Sequence, residues 1–238
     1  NLTCFSFYAN KNLSTGEGGA IALFDKSAAD RLRSLRQHAL PIDAWKRFES
    51  SNALLVSNQL TDLGYKMNYT DLQAAIGRVQ LARQDEFFET RLAVAQIYEQ
   101  GLEGLAPSVQ FQTDCTEANH ARHLFLVRLP LQDLRIDRNE GVLALHSRNI
   151  GAAIHYAPLH TMPLYSRDTV SPPLEATEEA GRSLITLPIS ASMDTEDARN
   201  VVQEFCAVIE EHAKSPAGRG IEHYGFQDRL TEEFPSQV

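Results

Sequence analysis

A lysine placed directly behind an apolar strand and ahead of a glycine cluster is the first feature of this chain that could do chemistry. In the run Cys4-Phe5-Ser6-Phe7-Tyr8-Ala9-Asn10-Lys11-Asn12-Leu13-Ser14-Thr15-Gly16-Glu17-Gly18-Gly19, Lys11 stands among small polar residues. A lysine near its ordinary pKa of ~10.4 is protonated and unreactive at neutral pH. Desolvation or added positive charge lowers that value and frees the amine to form a Schiff base. The spacing alone also fits a surface lysine in a hairpin loop. Gly16, Gly18 and Gly19 read by themselves as turn glycines, because no helix with a P-loop or dinucleotide pattern follows them.

Histidine and cysteine supply the other candidates. His155 and His160 are five apart with Pro158 between them, which is not the i, i+4 helical spacing of a zinc pair. His120 and His123 are three apart, but His123 begins an apolar strand and no third ligand is suitably spaced. No metal site is expected. Cys4, Cys115 and Cys206 are odd in number and lack a C-x-x-C pair, so neither a disulfide framework nor a zinc site is suggested and a reducing cytoplasm is the default.

Around these residues the chain has a globular composition, with 43% hydrophobic and 22% charged residues in 238. No apolar run is long enough to cross a bilayer, and no basic-then-apolar leader opens the chain. The 22 basic and 31 acidic side chains give a net charge of -9, the wrong sign for following a phosphate backbone, so no nucleic-acid partner is expected.

The elements that must position the candidates follow from patterning. Strands are expected at Leu2 to Tyr8 and Ala20 to Phe24, joined by the polar stretch Ala9 to Gly19. Ser27 can cap a short helix carrying Leu32 and Leu35, and Pro41 to Lys66 reads mostly as loop around an apolar island from Ala53 to Val56. Thr70-Asp71-Leu72-Gln73 is a capping-box pattern. The apolar spacing behind it, through Leu72, Ile76, Val79, Phe88, Leu92 and Ile97, predicts one long helix toward Gly101. From Pro107 the texture changes to short strands, at Leu124 to Leu129, Ala152 to Tyr156 and Leu184 to Leu187, with a helix from about Arg138 to Arg148. A last helix opens on Asp194-Thr195-Glu196-Asp197 and carries the stripe Ala198, Val201, Val202, Phe205, Val208 and Ile209.

The lysine run resembles the Schiff-base motif of the DegT/DnrJ/StrS-type sugar aminotransferases, in which Ser-Phe precedes the lysine and Thr-Gly-Glu-Gly-Gly follows it. Further motifs match in the same order. Leu35-Arg36-Gln37-His38 with Trp45 is similar to the segment after the lysine hairpin. Gly64-Tyr65-Lys66-Met67-Asn68-Tyr69-Thr70-Asp71-Leu72-Gln73-Ala74-Ala75-Ile76-Gly77 is similar to the family's most recognisable loop and helix start. His155-Tyr156-Ala157-Pro158-Leu159-His160, with Pro163 and Tyr165, and then Leu187-Pro188-Ile189 complete the set. The resemblance covers about residues 1–212.

That resemblance implies an α/β fold, the C-terminal part of a fold-type I pyridoxal-phosphate transferase. Residues 1–105 would end the cofactor-binding large domain, 106–214 would form a smaller C-terminal α/β domain, and 215–238 a peripheral tail. It implies that Lys11 carries pyridoxal 5'-phosphate and moves the substrate proton. Ser6 would place its hydroxyl on the cofactor phosphate, and Lys66 and Asn68 would reach the phosphate of a neighbouring subunit in a homodimer with shared sites. Asn often stands where this chain has Lys66; lysine can serve the same phosphate as a point charge. His155, Tyr156 and His160 would line the sugar-nucleotide pocket, although each histidine also fits a structural position at a strand end. The implied reaction moves an amino group, with glutamate as the expected donor, to a keto group of a nucleotide-linked deoxysugar in polysaccharide or glycan building. The dehydratase branch of the family replaces the lysine by histidine, and Lys11 argues against it.

This family places the acid for the pyridine nitrogen before the lysine, and only ten residues precede Lys11. The expectation is a C-terminal part that does not transaminate alone. A non-catalytic homologue or interaction subunit that dimerises without turnover is the alternative.

Overall fold

The structure is a computed structural model that describes residues 1–40, 60, 62–103, 105, 108–112, 120–167 and 174–214. Trp45, the island Ala53 to Val56, Cys115 and the expected tail lie outside the described residues. The chain divides into two compact units, Asn1–Phe87 and Phe88–Val238.

In the first unit, β1 (Leu2–Ser6) and β2 (Gly19–Leu23) form an antiparallel pair whose register runs from Leu2 opposite Leu23 to Ser6 opposite Gly19. Helix α1 (Lys26–Leu35) follows. Its cap is Asp25 rather than the expected Ser27: the Asp25 carboxylate accepts from the backbone N–H of Ser27 at 2.8 Å and of Ala28 at 3.1 Å. A carboxylate at this position satisfies two orphan donors and also meets the positive end of the helix, which a serine two residues further in cannot do.

Helix α2 (Asp71–Ala82) starts on the expected capping box. Thr70 Oγ1 accepts from Gln73 N–H at 3.2 Å, and Gln73 Oε1 accepts from Thr70 N–H at 2.8 Å. The single long helix is not observed, because α2 ends at Arg83 and α3 (Gln84–Glu103) begins at the next residue. No glycine or proline marks the break. Its signal is electrostatic: Asp85 and Glu86 occupy the first turn of the new helix, and Arg83 donates to Glu86 at 2.7 and 2.9 Å.

The second unit builds a three-stranded antiparallel sheet in the order β3 (Gln110–Phe111), β4 (Phe125–Arg128), β5 (Leu184–Leu187). Helices α4 (Arg138–Ser147), α5 (Pro163–Ser166), α6 (Glu175–Ser183) and α7 (Thr195–His212) complete it. Asp137 with Glu140, and Asp194 with Asp197, make reciprocal capping boxes for α4 and α7. The strand expected at Ala152 to Tyr156 is reduced to one bridge, Ala153 opposite Thr186. Both backbone bonds of that pair form, at 3.0 and 2.8 Å, but Pro158, with no N–H to donate, follows closely and the chain turns into a short 3₁₀ segment at Leu159–Thr161.

One core holds this unit. Tyr98 and Leu102 of α3, Leu145 of α4, Val202 and Phe205 of α7, and Phe125, Val127, Ile185 and Leu187 of the sheet are fully buried together. Burying each large side chain contributes about 1.5–3 kcal/mol. Arg91 of α3 is buried as well, and donates from Nη1 to the carbonyls of Arg122 and Ile189, both at 3.1 Å.

The first unit differs. Leu2, Phe5 and Ile21 of its two strands, Phe24 beside them, and Leu72, Ile76 and Val79 along α2 are all exposed. A two-stranded sheet is marginal in water by itself.

Candidate active site

The chain leaves β1 at Ser6, swings out through the Lys11 loop and returns to β2 at Gly19. Phe7 closes the neck of this loop: its N–H donates to the carbonyl of Gly18 and its carbonyl accepts from Thr15 N–H, both at 2.9 Å. Lys11 N–H donates to the carbonyl of Tyr8 at 3.0 Å, so the lysine sits on a tight turn, half-buried. Ser6 is exposed, and its hydroxyl oxygen accepts from Tyr8 N–H at 3.3 Å.

Three glutamines from α2 and α3 hold the loop. Gln73 Nε2 donates to the carbonyl of Glu17 at 2.8 Å, Gln80 Oε1 accepts from Ser14 N–H at 3.5 Å, and Gln84 Nε2 donates to the carbonyl of Asn12 at 3.2 Å. Residues 73, 80 and 84 repeat at helical spacing, so one face contacts the stretch that follows Lys11 in the chain, at residues 12, 14 and 17. Thr15, buried, donates from Oγ1 to the Glu17 carbonyl at 2.8 Å. Gly18, at φ +143°, lies so close to the Tyr69 ring that a Cβ there would approach Cε2 to 2.6 Å. Only glycine satisfies both that backbone angle and that approach. Nothing local in the sequence marks Gln80 and Gln84 for this role, since their partners lie 66 and 72 residues away.

Lys66 and Asn68 lie on the segment that leads into α2. Tyr65 and Met67 donate their N–H groups to the carbonyls of Leu35 and Arg36 at 2.7 and 2.8 Å, and Lys66 bridges Gln37. This pairing leaves both Lys66 and Asn68 exposed. Asn68 shares an apolar groove of about 780 Å³ with Phe5, Gly18, Gly19 and Tyr69. Neither Lys11, Ser6 nor Lys66 lines that groove. The structure thus joins Asn68 to the return side of the lysine loop through Gly18 and Gly19, and leaves Ser6 and Lys66 at its margins.

In the second unit, His155 Nδ1 lies 2.8 Å from Thr186 Oγ1, and its ring meets Tyr156 edge-on at 4.7 Å. His160 Nε2 lies 3.4 Å from a Glu178 carboxylate oxygen. Tyr156, Leu159, Leu164 and Tyr165 are exposed around them. Among the described residues no cluster of three His, Cys, Asp or Glu side chains could hold a metal ion, and no helix is long and apolar enough to cross a membrane.

The side-chain types, though not gathered in one pocket, include those that pyridoxal phosphate calls for. A primary amine on a fixed turn suits its aldehyde, and a hydroxyl, an ammonium and an amide suit its phosphate. Comparison with known proteins agrees. The profile of the DegT/DnrJ/EryC1/StrS aminotransferase family matches residues 1–206. The spore coat polysaccharide biosynthesis protein SpsC of Bacillus subtilis is 32% identical over 212 residues, covering 88% of this chain and 54% of SpsC. The crystal structure of aminotransferase TlmJ from Streptoalloteichus hindustanus aligns at TM-score 0.75 and 25% identity over 89% of this chain and 52% of TlmJ. Helicobacter pylori PseC, an aminotransferase involved in pseudoaminic acid biosynthesis, aligns at TM-score 0.77 over 88% of this chain and 53% of PseC. At 22% identity, PseC speaks to the fold alone. The chain therefore spans about half the length of the relatives it matches. Its α/β architecture is that of the fold-type I pyridoxal-phosphate transferases. With the family profile matching residues 1–206 and SpsC 32% identical over 88% of the chain, the chain belongs to the DegT/DnrJ/EryC1/StrS aminotransferase family.

Proposed function

We propose that this chain supplies the cofactor lysine of a pyridoxal-phosphate-dependent sugar aminotransferase. The reaction moves an amino group from an amino acid, glutamate in the first instance, to a keto group of a nucleotide-linked deoxysugar for polysaccharide or glycan biosynthesis. The observation that carries this reading is the Lys11 turn, closed at its neck by Phe7 and braced from α2 and α3 by Gln73, Gln80 and Gln84. Such bracing fixes the backbone that carries the amine, which supports proton transfer at a defined carbon.

Bound at this site, pyridoxal phosphate would supply an electron sink. Lys11 would hold the cofactor through Nζ and, once displaced by the amine donor, would shuttle the proton between the substrate carbon and the cofactor carbon. One amine serves as nucleophile and general base. Ser6 donates its hydroxyl to the cofactor phosphate. Lys66 and Asn68, both exposed, serve the phosphate of a partner subunit across a two-fold interface. His155, Tyr156 and His160 bind the sugar nucleotide. The compartment is the reducing cytoplasm, in keeping with free Cys4 and Cys206.

A second reading, an interaction subunit without turnover, is favoured by the exposed apolar residues of β1, β2 and α2. Complementation separates the two. Lys11→Arg and Lys66→Ala variants of the protein at its natural length, each inactive alone, are mixed and re-dimerised. Recovery of transamination is expected, because a mixed dimer assembles one intact site. Mixed dimers that form and stay inactive would refute the shared site.

A further inference from the structure

Thr186 is 4% exposed and sits in the middle of β5, where its N–H and carbonyl both bond to Ala153, at 2.8 and 3.0 Å. Its hydroxyl reaches His155 Nδ1, two residues beyond Ala153, at 2.8 Å. One buried residue therefore holds both the backbone that leads to His155 and the imidazole ring itself. Thr186 cannot drift, because the chain after it is clamped from α3: Tyr98 Oη donates to the Pro188 carbonyl at 2.5 Å, and Arg91 Nη1 donates to the Ile189 carbonyl at 3.1 Å.

The direction of the Thr186–His155 bond follows from satisfaction of buried groups. A buried hydroxyl hydrogen without an acceptor is costly, and among the described residues His155 Nδ1 is the acceptor that the Thr186 hydroxyl meets. If Nδ1 carried the ring proton, the two hydrogens would face each other or the threonine hydrogen would be orphaned. The hydroxyl therefore donates, Nδ1 accepts, and the proton of the neutral ring resides on Nε2.

We propose that Thr186 is a positioning residue that locks His155 in the Nε2–H tautomer, so that the ring offers one neutral N–H donor to an oxygen of the sugar-nucleotide substrate. The Tyr156 ring, edge-on to the imidazole at 4.7 Å, restricts the remaining rotation. This inference rests on the reading that His155 faces the substrate.

The test uses the protein at its natural length, loaded with pyridoxal phosphate. Long-range proton–nitrogen spectra of the ¹⁵N-histidine-labelled wild type should show the Nε2–H tautomer for His155. Thr186→Val, close in shape, should lose that single tautomer and raise KM for the sugar nucleotide about three- to tenfold, the range of one hydrogen bond, with kcat and the amino-acid half-reaction little changed. Thr186→Ser, which keeps the hydroxyl, should restore wild-type KM. In a His155→Ala background, Thr186→Val should add nothing. A Nδ1–H tautomer in the wild type overturns the inference even if Thr186→Val fails to fold. An equal rise of KM with and without His155 overturns it too, since Thr186 would then act through the sheet. An unchanged KM in His155→Ala, with the tautomer as stated, overturns instead the placement of His155 at the substrate.

Discussion

Replacing Gly18 by alanine isolates the bracing of the lysine loop from its chemistry. The residue has φ +143°, and its added methyl would stand 2.6 Å from Tyr69 Cε2 and 2.9 Å from Thr15 Oγ1, where ordinary contacts begin near 3.4 Å. Two costs add. Holding a non-glycine residue at that backbone angle costs about 1–3 kcal/mol, and forcing the aromatic ring aside costs about 1–3 kcal/mol more, giving roughly 2–6 kcal/mol against the native loop. The Thr15 hydroxyl in the way is the one that donates to the Glu17 carbonyl, so the Gln73 contact to the same carbonyl is disturbed as well. Gly77→Ala is the internal control. Its methyl approaches the same pair, Tyr69 Oη at 2.9 Å and Thr15 Cγ2 at 3.2 Å, but it sits in α2, where alanine gains about 1 kcal/mol of helix propensity. Amide hydrogen exchange of residues 14–19 reads the local opening free energy. Gly18→Ala should speed exchange there about tenfold for each ~1.4 kcal/mol lost and weaken pyridoxal-phosphate binding, while Gly77→Ala, whose close approach of about 1–3 kcal/mol is offset by about 1 kcal/mol of helix propensity, should cost only about 0–2 kcal/mol. Equal protection in the two variants would refute the claim that Gly18 seats this loop.

Two further outcomes follow from the second unit. Tyr98→Phe leaves the Pro188 carbonyl without its 2.5 Å donor and should lower stability in urea by about 1–3 kcal/mol; an unchanged midpoint would mean that water or another donor replaces the hydroxyl. Burial, assisted by Glu210, pushes the Cys206 thiol up to about 11. The unfolded thiol ionises first, so stability falls as pH rises from the ordinary thiol value toward 11. Peptide-mapped alkylation at pH 8 should accordingly label exposed Cys4 well before Cys206, and equal rates would contradict the burial argument.

Much of the local structure was legible in the sequence because it depends on neighbours in the chain. The Thr70–Gln73 and Asp194–Asp197 caps, β4, β5 and the stripe of α7 stand where pattern and propensity put them. The departures have physical causes. Asp25 outcompetes Ser27 because a carboxylate serves two N–H groups and the helix dipole together. The break at Arg83 is written in Asp85 and Glu86, a charge signal weaker than the apolar period that runs across it. Ala152 to Tyr156 alternates well enough for a strand, yet one pair only is made before Pro158. At the site, the motif around Lys11 was readable, but its supports were not. Gln73 meets Glu17 across 56 residues and Gln84 meets Asn12 across 72. Such contacts exist only once α2 has folded against the hairpin, and nothing local in the chain announces them.

The central claim is that Lys11 is the amine that takes the cofactor. Borohydride reduction of the natural-length protein purified with pyridoxal phosphate, followed by peptide mass spectrometry, tests it directly. A phosphopyridoxyl group on the peptide containing Lys11, and its absence from Lys11→Arg, is the predicted result; guanidinium keeps the charge but does not condense as the free amine does. Labelling at Lys66 or another lysine, or bound cofactor that borohydride fixes nowhere, would contradict the account.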